Sequence, residues 1–214
     1  MATSLIFQIL TTGLTGGIAG GVVNQGMTWW RESRTASKKS QYELSFIAVD
    51  LVFRLEKLAE QCAEIVKDQG CPDLHSRIGT FNPTTPYPVF SISEVKGDWR
   101  FLDTKMMYQI HSLPVRIDEA RRHAEATKGQ HVQNPRQPYF YDTRQKEFAD
   151  IGLRAMYINR RLRTLCNMPA SSLAGTEWSA WQILRKKVAE ARLERYRAWY
   201  NLKYAIPIDK NFDI

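Results

Sequence analysis

From Met1 to Trp30 the chain carries no charged side chain, and Arg31 is the first. Within this stretch Leu5 to Met27 reads LIFQILTTGLTGGIAGGVVNQGM. As a helix it spans roughly 35 Å at about 1.5 Å per residue, enough to cross a hydrocarbon core of about 30 Å. Backbone groups in lipid must be satisfied within the segment, so the pattern predicts one transmembrane helix. Beyond Arg31 the pattern changes. Leu44, Ala48, Leu51, Leu55, Leu58, Cys62 and Ile65 alternate spacings of four and three, the seam of a helix from Ser40 to Gln69. Gly70 and Pro72 stop it.

Three more helices follow from the same periodicity. The second begins near Trp99 to Asp103 and carries Leu102, Met106, Ile110 and Leu113. Pro114 is expected to kink or restart it, since proline lacks the amide proton a helix interior needs. Ile117, Ala120 and Ala124 then extend the stripe to Lys128-Gly129. The third is predicted from Asp142, as its cap, to Asn167, with Phe148, Ile151, Ala155, Ile158, Leu162 and Leu165 inward and Pro169 closing it. The fourth is predicted from Thr176 to Tyr204 through Trp181, Leu184, Val188, Ala191, Ala198 and Leu202, with Pro207 beyond. Narrow seams without strand-like alternation predict an all-α fold. We expect an antiparallel helical bundle of about four helices, preceded by one N-terminal glycine-rich transmembrane helix.

The chain then divides into an anchor (1–30), a basic juxtamembrane linker (31–39), a helical bundle domain (40–206) and a C-terminal tail (207–214). Two connections are long. Gly70 to Asp98 holds Pro72, Pro83, Pro86 and Pro88 and predicts one short extended piece, Pro88 to Ser93. Gly129 to Tyr141 holds Pro135, Pro138 and three aromatics, Tyr139, Phe140 and Tyr141. Both are expected to pack over the bundle ends.

The flanks of the uncharged leader set its orientation. Trp29 and Trp30 stand where an interfacial aromatic belt belongs, and Arg31, Arg34, Lys38 and Lys39 follow against the single acid Glu32. Positive charge stays inside, so the expectation is a single-pass protein of a bacterial inner membrane with the bulk of the chain cytoplasmic. Gly13, Gly17 and Gly21 repeat every four residues, with Gly16 and Gly20 beside them. On a helix they form a smooth groove suited to a second span, either another copy or another membrane protein. A cleaved signal peptide would need a basic start, which Met1-Ala2-Thr3-Ser4 lacks. A phosphate-binding loop would need Gly-Lys-Ser/Thr after the glycines, and the first lysine is Lys38. The rival that survives is a buried, soluble glycine-rich helix, since Gln8, Thr11, Thr12, Asn24 and Gln25 weaken the hydropathy.

Composition narrows the function classes. The net charge of +8 favours anionic partners. Three cysteines, Cys62, Cys71 and Cys166, are too few and too odd for a disulfide framework. No Glu-x-x-His pair, His-Glu-x-x-His or Gly-x-Ser-x-Gly occurs, so no enzyme, metal or cofactor is expected. Cys71 and His75 resemble half a metal site, yet His111, His123 and His131 supply no matching pair. Glu119 and His123, four apart, suit a surface contact.

The fourth helix offers the one distinctive surface. Arg185, Lys186, Lys187, Arg192, Arg195, Arg197 and Lys203 interleave with Trp178, Trp181, Tyr196, Trp199, Tyr200 and Tyr204. From these, Arg185, Lys186, Arg192, Arg195, Trp199 and Lys203 form the candidate surface for an anionic partner. Such a helix can lie on anionic headgroups or stack single-stranded nucleic acid. It can equally bury its aromatics in the core while its arginines are solvated; Trp181, on the seam, fits that best. The acids Glu177, Glu190 and Glu194 dilute the patch, so lipid is the more expected partner and nucleic acid the less.

One resemblance is carried by the apolar helix from Leu51 to Ala63, Asp98-Trp99 with Leu102, and Ser112-Leu113-Pro114 with Ile117. Gly152-Leu153-Arg154-Ala155 and Leu162-Arg163 before Pro169 complete it. In this pattern, over roughly residues 40–170, the chain resembles a family of small proteobacterial proteins with one N-terminal span and a helical domain. The resemblance implies that architecture and brings no activity, cofactor or catalytic residue. The functional expectation is a membrane-anchored interaction or regulatory protein, with a basic nucleic-acid-binding module as the alternative.

Overall fold

The computed structural model describes residues 34–35, 38–72, 81–128, 139–171 and 175–204. The predicted span, with Gly13, Gly16, Gly17, Gly20, Gly21, Trp29, Trp30 and Arg31, lies outside them, as do His75, His131 and Pro207. Among the described residues no helix is long and apolar enough to cross a membrane.

The first long helix, α1, occupies residues 38–67, so Lys38 and Lys39 stand on its first turn. The predicted seam is on its inner side. Ala48, Leu51, Leu55, Leu58, Cys62 and Ile65 are buried, and Leu44 packs against them at the edge. Burial is wider than the seam, because Ile47, Val52, Ala59 and Ala63 are also buried. The reason is a second neighbour. After a two-residue antiparallel ladder, β1 (Cys71–Pro72) against β2 (Phe81–Asn82), the chain doubles back along α1. Thr84 and Thr85 bond Asp68 at the end of α1. Glu94 then meets Arg54, the Lys96 amide donates to Asp50, and Gly97 rests on Ile47. Phe90 and Val95 plug this return segment into the core. It therefore covers the side of the bundle rather than its end, and Pro88 to Ser93 is irregular rather than extended.

A 3₁₀ turn (Trp99–Phe101), capped by the Asp98 carboxylate accepting from the Arg100 amide, leads into α2 (Thr104–Ala126). This helix runs unbroken through Pro114. Ile110, Leu113 and Ile117 are buried around the proline, and their packing holds together a helix that proline alone would disfavour by about 3 kcal/mol.

The next helix, α3 (Tyr139–Leu165), starts a turn earlier than predicted. Asp142 is thus an acidic residue of its first turn rather than its cap. Tyr139, Phe140 and Tyr141 are helical, not loop, and Phe140 and Tyr141 form a small second core with Ala124 and Phe81. At the other end Asn167 adopts φ 50°. The Met168 amide bonds the Arg163 carbonyl and the Asn167 amide bonds that of Thr164, the paired closure of a left-handed helix stop. The last helix, α4 (Ala180–Tyr204), follows Ser179, whose hydroxyl accepts from the Gln182 amide.

Contacts across the helices give their directions. Asn159 Nδ2 donates to the Val52 carbonyl and Arg144 reaches Asp68, so α3 descends along α1. Arg161 meets Asp103 and His123 meets Glu147, so α3 descends along α2. Gly152 packs on Leu184 while Lys146 bonds Glu194, so α4 ascends beside α3. The fold is an all-α bundle with α3 antiparallel to each neighbour. α1 and α2, however, point the same way, because the return segment carries the chain back before α2 begins.

Gly152 marks the closest approach of three helices. A Cβ there would sit 2.7 Å from Cys62 Cβ on α1 and 2.9 Å from both Leu184 methyl carbons on α4.

Candidate interaction surface

The first half of α4 is a core helix. Ala180, Leu184 and Val188 are buried, and Trp181 is half-buried, edge-on to Tyr157 at 5.3 Å. From Arg192 to Lys203 every residue is exposed. The seam pattern continues in phase through Ala198 and Leu202, but its residues are no longer buried. Lys146 bonds both Asp142 and Glu194 at 2.5 Å, pinning α4 to the first turns of α3. From that contact α3 runs seven more residues to its start at Tyr139, so only the last turn of α4 outruns it. Apolar periodicity therefore runs on into a stretch that is exposed.

Five of the six predicted residues share one face beside the seam. Arg185, Arg192, Arg195, Trp199 and Lys203 fall within about 80° of arc at 3.6 residues per turn. Lys186 is exposed but points well away from them. Trp199 lies 6.0 Å from Tyr196, and Lys203 Nζ sits 4.9 Å over the Trp199 ring. Both rings are exposed, so the aromatics of this half are display residues rather than core. Beside them an open groove of about 630 Å³ runs between α3 and α4, with Lys146, Arg154, Arg192 and Arg195 in its walls. Its acids are engaged: Asp150 with Arg154, Glu194 with Lys146, Glu147 with His123. Among the described residues neither Arg192 nor Arg195 has a carboxylate within ion-pair distance, and with four cations against three acids the groove lining carries one surplus positive charge.

A second groove, of about 490 Å³, lies between α2 and α3. Lys105, Arg116, Arg154 and Arg161 line it with the exposed Tyr108 and Tyr157, and no acid does.

The residues weighed for chemistry do not assemble. No group of three metal-ligating side chains occurs among the described residues. His123 bonds Glu147 on α3 through Nδ1 at 2.9 Å rather than Glu119. His111 lies against Trp99 with ring centres 4.8 Å apart and the planes tilted. Cys62 is fully buried on the seam, and burial pushes its thiol far up, so it is a packing residue.

One polar cluster escaped the periodicity. Asp68, just past α1, is buried with Arg144 of α3. Its carboxylate accepts from the Gly70, Thr84 and Thr85 amides, the Thr84 hydroxyl and Arg144 Nη1. Burial opposes its charge, but the Thr85 amide, Arg144, the Gly70 amide and Thr84 together hold it well below the usual carboxylate range. Arg144 also donates to the Thr85 carbonyl and lies 5.1 Å from the Tyr87 ring centre. Nearby, burial pushes the Tyr141 phenol up to about 12. The carboxylate is saturated with donors, so the cluster is a clasp holding α1, the return segment and α3. The only local cue was Asp-x-Gly at a helix end, an Asx-turn signal.

No protein-family model, curated protein or solved structure matches the chain.

Proposed function

We propose that the protein is a membrane-tethered interaction protein whose bundle displays the second half of α4 to an anionic partner. The observation carrying this reading is the exposed basic and aromatic face of Arg192, Arg195, Trp199 and Lys203 on the second half of α4. Tryptophan and arginine dominate binding energy at protein interfaces, and here they stand outside the core. In this reading residues 1–30 form the tether, Trp29, Trp30, Arg31, Arg34, Lys38 and Lys39 set its orientation, and the glycine groove pairs spans.

Geometry favours a partner away from the tethering bilayer. Cys62, Gly152 and Leu184 lie at one level. From that level α1 descends to residue 38 and α4 ascends to Tyr204. At about 1.5 Å per residue the two ends are on the order of 60 Å apart. An acidic protein segment suits the α4 face better than the headgroups beside the anchor.

Two measurements test it. Deleting residues 1–30 is expected to move the protein from the membrane fraction to the supernatant. Full-length protein in the supernatant without detergent would remove the tether. A photo-crosslinker at Leu202 is expected to trap a partner in cells, with the adduct lost on Arg192→Glu/Arg195→Glu; an unchanged adduct rules out the basic face.

The acid-free groove between α2 and α3 supports the second reading, nucleic-acid binding, since exposed tyrosines beside cations suit base stacking. Its signature is oligonucleotide binding that weakens steeply with salt and is lost on Lys105→Glu/Arg116→Glu.

A further inference from the structure

The outward face of α1 has two unlike halves. Lys57, Glu60, Glu64 and Lys67 occupy its upper part and are exposed, as a solvated face should be. Below them, on the same arc, stand Tyr42, Phe46, Val49 and Phe53, which are 83%, 60%, 47% and 64% exposed. Their spacing of four, three and four is that of d, a, d and a in a heptad, and they fall within about 60° of arc. α1 thus has an inner seam filled by the bundle and a shorter outer seam facing away from it. Contiguous exposed apolar residues of this kind mark an interaction surface.

We infer that the outer seam of α1 is a parallel pairing surface for a second copy of this chain. Three observations select this occupant. The heptad spacing is self-complementary: two copies related by a two-fold axis along α1 set Phe46 against Phe46 and Val49 against Val49. The flanks agree with that direction. With Tyr42 at d, Lys38 is a g position and Glu43 the following e position, so parallel pairing faces Lys38 of each copy with the partner's Glu43, twice. Antiparallel pairing of the same four residues instead sets g against g and e against e, so Lys38 loses the partner's Glu43.

The third observation is area. Aromatic side chains present about 150–250 Å² each, so the exposed fractions leave roughly 500 Å² per copy, or about 1,000 Å² for the pair. That is the threshold of a specific interface, and the charged half of the face bounds it at Lys57. The seam is therefore a weak dimer surface, strengthened wherever two chains are held in one plane. The apolar seam lies wholly within residues 42–53 and does not depend on the membrane reading; Lys38 enters only through its direction.

The test uses full-length protein, in detergent if the chain needs it and in plain buffer if it does not, so the fate of the tether is scored separately. Sedimentation velocity is expected to show a concentration-dependent dimer. Phe46→Glu/Phe53→Glu is expected to shift it to monomer with helicity by circular dichroism unchanged, since both side chains are exposed. Lys38→Glu is expected to weaken dimerisation several-fold, and Lys38→Glu/Glu43→Lys to restore it. In a Cys71→Ser/Cys166→Ala background, Val49→Cys is expected to oxidise to a covalent dimer faster than Glu119→Cys on α2. A monomer at every concentration overturns the inference. So does a dimer that survives Phe46→Glu/Phe53→Glu, because its contact lies elsewhere, in the glycine-rich segment or another face. Strengthening by Lys38→Glu overturns the parallel direction.

Discussion

Arg144 on α3 and Asp68 beyond the end of α1 form an ion pair 2.8 Å long in which each side chain is only 1% exposed. The residues are 76 apart in sequence. Asp68 also receives Thr84 and Thr85, so a single carboxylate joins three segments of chain. Arg144→Met strands that charge in the interior. Breaking a buried pair in this way costs about 3–5 kcal/mol, and urea unfolding is expected to show a loss of that order. Arg144→Met with Asp68→Asn should recover part of it, since no unpaired charge remains. If the single variant unfolds at the wild-type urea midpoint, the clasp has no structural weight.

Acid acts on the same pair. The folded-state carboxyl of Asp68 titrates well below its unfolded value, which lies near 3.9. A depressed folded value adds stability above the unfolded one, and that stability is lost as pH falls further. The wild-type unfolding free energy is therefore expected to decline as pH drops below about 4, and more steeply than that of Asp68→Asn. Parallel declines would show that other carboxylates carry the acid sensitivity.

Gly152 holds α1, α3 and α4 together by lacking a side chain. Gly152→Ala pushes a methyl into Cys62 Cβ and Leu184, and neither can retreat far. Overpacking of this kind costs about 1–3 kcal/mol, several degrees in Tm for a protein of this size at roughly 2–4 °C per kcal/mol. Gly175, with nothing within 4 Å of an added Cβ, is the control, and Gly175→Ala should leave Tm nearly unchanged. A thermal melt of the two variants decides it.

The outer half of α4 should be silent in stability. Trp199→Ala removes an exposed ring that shares no core cluster, so the expected change lies within about 0.5 kcal/mol. Leu184→Ala, on the same helix but fully buried, is expected to cost about 2–5 kcal/mol. A large loss from Trp199→Ala would place that ring in the fold rather than on display.

How much of this was legible beforehand differs from helix to helix. The inner seams of α1, α2 and α3 could be read directly, because burying one face of a helix imposes a 3.6-residue period on whatever lies opposite; Leu165, expected inward at the end of α3, is the exception and stands exposed. The second seam of α1 was written in the same spacing and was masked by the stronger one beside it. For α4 the period ran on to Leu202, yet burial stops at Val188, and no pattern within one helix records how far its neighbours close over it. Tyr139, Phe140 and Tyr141 read as loop because Pro135 and Pro138 precede them, while contact of Phe140 and Tyr141 with Ala124 and Phe81 favours the helical turn.

Taken by themselves, the residues of this chain decided that helices form, roughly where they stop and which side of each turns inward, since propensity, stop signals and amphipathic period are properties of neighbours in sequence. Only the tertiary structure decided that α2 runs parallel to α1, that Asp68 keeps its charge in the interior, and that Trp199 stands outside the core. Each of those outcomes depends on groups tens of residues away, whose approach is settled by packing and by the return of the chain along α1, and not by any local spacing.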